Sequence, residues 1–284
     1  MKYPISAPFF LGKKRAKVLR SKEKCVKRRL LIVVGLILLL CLLPLSACSE
    51  KKEQEEEPFL YTFGILNAED PIVELTLSNG DSIRLELFPW LAPETVDNIL
   101  TYVRESFYDG VAFHRIIRGF MIQTGGFEER DGALYKKTPT HATIKGEFLL
   151  NGFTHPESDS VWAQWAAYYN IYLSHTPGVI SMARIANSYN SASSEFFICS
   201  ADSSGLNGGY AAFGRVIDMQ SMDAVLRLGK VKTHDEEVYY GAEINPAEDV
   251  PVQRVFITSA REVQIEVPES TLSPSEVPWF TFSY

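Results

Sequence analysis

The run Phe113-His114-Arg115-Ile116-Ile117-Arg118-Gly119-Phe120-Met121-Ile122-Gln123-Thr124-Gly125-Gly126 sets a permanent cation, Arg115, among large apolar side chains that alternate as in a strand. Arginine holds its charge at any pH a protein meets and presents its donors as a rigid fork. An apolar cleft with one strong, fixed donor suits a neutral, greasy substrate that needs charge placed at one atom. The run lacks what hydrolysis, phosphoryl transfer or metal chemistry requires. His141, His155, His175 and His234 are scattered without ligand spacing, and the chain contains no Gly-x-Ser-x-Gly.

Two further stretches extend the pattern. Gly178-Val179-Ile180-Ser181-Met182-Ala183 leads to Asn190-Ser191-Ala192-Ser193-Ser194-Glu195-Phe196-Phe197-Ile198, and Leu206-Asn207-Gly208-Gly209-Tyr210-Ala211-Ala212-Phe213-Gly214-Arg215-Val216 follows. Together with the first run these resemble the cyclophilin-type peptidyl-prolyl cis-trans isomerases, in the family's order, over roughly Ile72 to Thr258. The resemblance implies rotation about the peptide bond before proline, against a barrier of ~18–20 kcal/mol. That chemistry needs no nucleophile, no acid or base, and no cofactor or metal. It implies Arg115 as the donor to the prolyl nitrogen, and Phe120, Met121, Phe197, Leu206 and Tyr210 as the proline pocket. Gln123 would hold the arginine or the substrate carbonyl, and Ala183 with Arg184 would line the adjoining backbone groove. His114 is expected to support the site by packing or hydrogen bonding rather than to carry a proton.

Departures from the family pattern stand at three of these places. Glu195 occupies the position of a neutral glutamine and is expected beside Gln123, within reach of Arg115. Gly205 stands where many members carry tryptophan, and Tyr210 replaces a common histidine. The partners implied are proline-containing polypeptides. The competing reading is an anchored proline-binding chaperone or scaffold with little catalysis, which Glu195 favours and the retained Arg115, Phe120, Gln123 and Phe197 oppose.

The elements that must position these residues are legible in outline. Val73, Leu75 and Leu77 alternate with polar residues, Asn79-Gly80 supplies a turn, and Ile83, Leu85 and Leu87 alternate again, which predicts a β-hairpin. Pro93 and Glu94 open a helical pattern carried by Val96, Ile99, Leu100, Val103 and Phe107, ending before Asp109-Gly110. Short strands are expected at Phe113 to Ile117, Phe120 to Thr124, Val179 to Met182, Phe196 to Cys199, Phe213 to Ile217 and Val252 to Thr258, with a second helix at Met219 to Leu228. Periodicity leaves barrel and sandwich open. The resemblance implies a mostly β fold: a closed eight-stranded antiparallel barrel with two capping helices. Cys199, in an apolar strand, reads as a buried structural thiol.

The ends of the chain speak to location. The first 29 residues hold eleven Lys/Arg and one acid, and Leu30 to Leu43 is free of polar side chains. This is a charged leader and an apolar core. Leu45-Ser46-Ala47-Cys48 then resembles a bacterial lipobox, implying cleavage of 1–47 and lipidation of Cys48. An uncleaved helical anchor is the other reading, but the apolar run falls short of the roughly 20 residues a spanning helix needs. Either places the domain outside the cytoplasm, on the outer face of the membrane or in a periplasm. Residues 48–58 read as an acidic tether and 59–267 as one isomerase domain. Near 154–173 an insertion puts Trp162, Trp165 and Tyr169 on one helical face. The tail 268–284 is expected to be loosely attached, with Trp279-Phe280 as the place where it could dock. From Cys48 onward 17 of the 28 Lys/Arg face 34 of the 35 Asp/Glu, so nucleic acid is not expected as a partner. The domain is expected to act as a monomer.

Overall fold

The computed structural model describes residues 69–155, 164, 171–265 and 280–282, all within the unit Tyr61–Tyr284. The basic leader, the apolar run, Cys48, the acidic tether and the aromatic face of Trp162, Trp165 and Tyr169 lie outside the described residues.

The expected hairpin forms from β1 (Ile72–Leu77) and β2 (Ser82–Leu87), with Val73, Leu75, Leu77, Ile83, Leu85 and Leu87 all buried. The turn closes through Gly80, whose N–H donates to Leu77 O at 3.0 Å and whose φ of 89° suits a residue without Cβ. Helix α1 (Pro93–Arg104) turns Val96, Ile99, Leu100 and Val103 inward. Its first-turn amides are satisfied from a distance: the Glu147 carboxylate accepts from the N–H of Glu94 at 3.1 Å and of Thr95 at 2.8 Å. The helix is shorter than its apolar spacing predicts. Ser106 adopts a left-handed φ of 56°, which ends the helix, and Phe107 is buried from the turn that follows.

After α1 come β3 (Val111–Ala112), β4 (Arg115–Ile117), β5 (Met121–Thr124), β6 (Phe127–Arg130), β7 (Ala133–Lys136), β8 (Ile171–Leu173), β9 (Val179–Met182), β10 (Phe196–Cys199) and β11 (Ala212–Val216). Helix α2 (Met219–Leu228), β12 (Thr233–Tyr240), β13 (Glu243–Pro251), β14 (Phe256–Val263) and β15 (Phe280–Phe282) complete the order. Thirteen strands share one sheet, ordered β13-β12-β7-β6-β3-β14-β1-β2-β11-β9-β10-β5-β4. The eight-stranded barrel lies within it. Segment 111–117 pairs with β14 at one end and with β5 at the other, the Phe113 N–H donating to Val255 O at 2.9 Å and the His114 N–H to Gln123 O at 3.1 Å. With β3 and β4 counted as one strand, and β5 and β6 as another, the ring runs β14, β1, β2, β11, β9, β10, β5/β6, β3/β4 and back to β14. α1 packs on β14 and α2 on β2.

Three strands of this sheet, β7, β12 and β13, stand outside the ring. β6 and β7 form a hairpin, and β12 and β13 form a longer one that joins β7 through the parallel pair Tyr239 and Tyr135. Because residues 243–251 belong to that hairpin, the last barrel strand starts at Phe256 rather than at Val252. Of the tail, the described residues dock at the place the sequence marked: β15 pairs antiparallel with β8, Phe280 opposite Leu173, so these residues are tied to the domain.

Side chains alternate across a strand, and this places the site. Ile116, Ile122, Ile180, Met182, Phe196 and Ile198 belong to the barrel core. Their sequence neighbours Met121, Phe197 and Cys199 belong to a separate cluster, against which Ile117, Phe120, Ala183, Leu206 and Tyr210 pack.

Candidate active site

Across the sheet, Arg115 pairs with Gln123, Gln123 with Phe197, and Phe197 with Ser181. These four form one row over β4, β5, β10 and β9, so the fork of Arg115, the amide of Gln123 and the ring of Phe197 rise from adjacent strands spaced by about 4.8 Å. The next row, Ile117, Met121 and Cys199, continues the apolar floor. Tyr210 meets Phe197 edge-on, with centroids 5.9 Å apart.

The floor has a rigid support. The His175 ring stacks on Phe197 at 6.1 Å, its Nδ1 lies 3.0 Å from Asn207 Oδ1 and its Nε2 lies 3.0 Å from Ser181 Oγ. Since a carbonyl oxygen only accepts, Nδ1 carries the proton and Nε2 accepts from Ser181. Burial pushes the His175 pKa down to about 4, so the ring is neutral at pH 7. Burial also raises the Cys199 thiol to about 12, which fits the structural role expected of it.

A cavity of about 500 Å³ opens over this surface. Arg115, Phe120, Met121, Gln123, Ala183, Arg184, Glu195, Phe197, Leu206 and Tyr210 all line it, so the fold gathers every site residue expected in the domain. Residues 72–262 match the family model described as cyclophilin type peptidyl-prolyl cis-trans isomerase/CLD. The chain belongs to the cyclophilin family. It is an enzyme of the peptidyl-prolyl cis-trans isomerase type. It is 35% identical over 195 residues to a peptidyl-prolyl cis-trans isomerase of Acinetobacter baylyi, covering 67% of this chain and 88% of that one. With peptidyl-prolyl cis-trans isomerase B of Escherichia coli it shares 34% over 189 residues, covering 64% and 96%. A solved cyclophilin type isomerase of Cryptosporidium parvum, crystallised in the presence of the dipeptide ala-pro, aligns with a TM-score of 0.47 and 21% identity, covering 68% of this chain and 98% of that one.

The electrostatics of this cyclophilin differ from the expectation at Glu195. Its Oε2 accepts from Gln123 Nε2 at 2.9 Å and lies 3.2 Å from His114 Nε2, while its Oε1 pairs with Lys136 Nζ on β7. Burial pushes the carboxyl pKa up, but the bond and charge of His114 and the charge of Lys136 outweigh it and hold the group well below the usual carboxylate range. Gly126 makes room: a Cβ there would lie 2.5 Å from Glu195 Cδ. The carboxylate at ion-pair distance from Arg115 is instead that of Asp249, 3.9 Å from Nε.

Arg184 lines the cavity but its fork is engaged. It donates to Gly209 O at 3.0 and 2.9 Å and to Ala186 O at 2.6 Å, and lies 4.3 Å from the Tyr210 centroid. It ties the Tyr210 loop to the strand end as well as lining the groove. Sequence reasoning missed Lys136, Asp249 and the β12–β13 wall of the cavity, formed by Val238, Tyr240, Pro246, Ala247 and Glu248. One signal was present. Gly241-Ala242 between Val238-Tyr239-Tyr240 and Ile244 is a two-residue hairpin loop with glycine first, as a type II′ turn requires.

Proposed function

We propose that this cyclophilin accelerates prolyl isomerisation through Arg115, acting on proline-containing polypeptides that fold outside the cytoplasm. The proline ring sits on Phe120, Met121, Phe197, Leu206 and Tyr210. When the amide twists, resonance is lost and a lone pair appears on the prolyl nitrogen. Arg115 donates to that lone pair, an interaction stronger in the twisted state than in the planar one, and this difference lowers the barrier. Gln123, with its amide held by Glu195, positions the arginine fork or the substrate backbone. The observation that carries this reading is the register row, which sets Arg115 two strands from the Phe197 ring on one face.

The lipobox-like Leu45-Ser46-Ala47-Cys48 supports an anchor at Cys48, from which residues 49–58 space the domain off the membrane. Cys48→Ala, compared with wild type by intact mass and detergent partitioning, tests this; unchanged processing favours an uncleaved helix. For the chemistry, Arg115→Ala should lower kcat/KM by about tenfold or more, the loss of one preorganised donor of ~2–4 kcal/mol, while circular dichroism and melting stay close to wild type. Full activity in that folded variant would reject the mechanism and favour a binding scaffold. The Lys136 partner of Glu195 weakens the scaffold reading, because the carboxylate that favoured it is already neutralised by a neighbour.

A further inference from the structure

The cavity rests on two hydrophobic clusters. One is the proline floor built on Met121, Phe197 and Cys199; the other is built on Ala112, Phe127, Leu134, Val238 and Val250, with Ala247 packed against it. The clusters are distinct, and His114, Arg115, Gln123 and Glu195 line the same cavity. Phe127, Val238, Tyr240, Pro246 and Ala247 give this cavity a second apolar wall, with Glu248 beside them. Tyr240 meets Phe127 edge-on at 5.6 Å, so the wall is packed rather than a loose flap. At about 500 Å³ the space is of the size that takes a multi-group ligand, more than one proline ring fills.

We propose that the β12–β13 hairpin and Phe127 form a second subsite that takes a bulky apolar side chain, aromatic or branched, from a residue flanking the substrate proline. The proposal rests on the isomerase reading above. Continuity argues for this occupant: the wall shares one cavity with the proline floor, so a chain seated on Phe197 reaches it within a residue or two. The wall carries no cation among its lining residues, and its apolar rings suit a neutral side chain better than a charged one.

A proline-centred peptide set with Gly or Phe at each of two positions on either side tests it. At one position Phe should raise kcat/KM about tenfold over Gly, as expected for partial burial of one large side chain. Ala247→Trp, which fills the lobe, and Tyr240→Ala, which opens its half-exposed edge, should each bring that ratio below about threefold. A ratio within twofold at every position in wild type, or one unchanged in both folded variants, overturns the subsite. Should Ala247→Trp not fold, Tyr240→Ala decides alone. If wild type turns over none of the peptides, the isomerase reading fails separately. The same Phe/Gly ratio in Kd by calorimetry then decides the subsite.

Discussion

A carboxylate in place of a neutral amide, beside the arginine proposed as donor, would threaten to draw that arginine away from a substrate. Here Glu195 is bound instead by Gln123, His114 and Lys136. Glu195→Gln should therefore change kcat/KM by less than about threefold, against the rise expected had the carboxylate held Arg115. Its effect should fall on stability: breaking a pair that is only about one-fifth exposed leaves Lys136 without its anion, a loss on the order of 1–3 kcal/mol. The sign with pH follows. A carboxyl held below its unfolded pKa stabilises the fold above about pH 4.5 and loses that contribution as pH falls through its folded pKa. Melting curves of wild type and Glu195→Gln should thus converge below pH 4.5, and a constant gap from pH 7 to 3 would contradict the pairing. At Arg115 itself lysine should rescue poorly, since a point charge lacks the fork that fixes direction; an activity of Arg115→Lys near wild type would count against directional donation.

Single elements decide who else can bind. Gly205 lies in the short turn Ser204–Leu206 beside the pocket residue Leu206, and a Cβ there meets nothing within 4 Å. Gly205→Trp should be accommodated and should strengthen binding of cyclosporin-like ligands by supplying an apolar wall and an indole donor. Calorimetry showing equal affinity for wild type and variant would refute the argument. The β12–β13 hairpin shows how an element escapes reading from composition. Asp235, Glu236, Glu237 and Pro246 break its alternation because little of the hairpin is buried: Val238 and Val250 join the Phe127 cluster with Ala247 packed against it, and most other positions are open to water. Besides that cluster, its attachment includes a stack of Tyr239 on Tyr135 at 4.6 Å, a contact between residues far apart in the chain. The first hairpin was legible because β1 and β2 bury one full face against the barrel core.

At the scale of the molecule, stability should fall as acid reaches the His175 support beneath the apolar floor at Phe197. His175 is neutral in the fold with a pKa of about 4, against about 6.5 when unperturbed, so protonation favours the unfolded chain. Its contribution is complete above pH 6.5 and is lost as pH falls towards 4. His175→Gln, which cannot titrate, should melt lower than wild type at pH 7.5 yet show a flatter profile between pH 6.5 and 4. Parallel profiles would remove His175 as the cause. The pocket residues and the role expected of Arg115 came from the family resemblance, whereas the first hairpin, both helices and the strands around Arg115, Gln123, Ile180, Phe197 and Phe213 were readable from local pattern, since period-two alternation and capping chemistry act between near neighbours. Ring closure through Phe113 and His114 was not, nor were the pairing of Lys136 with Glu195 and the placing of Asp249 beside Arg115. Those depend on which distant strands lie side by side, and a charge reveals its partner only when the chain has folded to bring the two within a few ångströms.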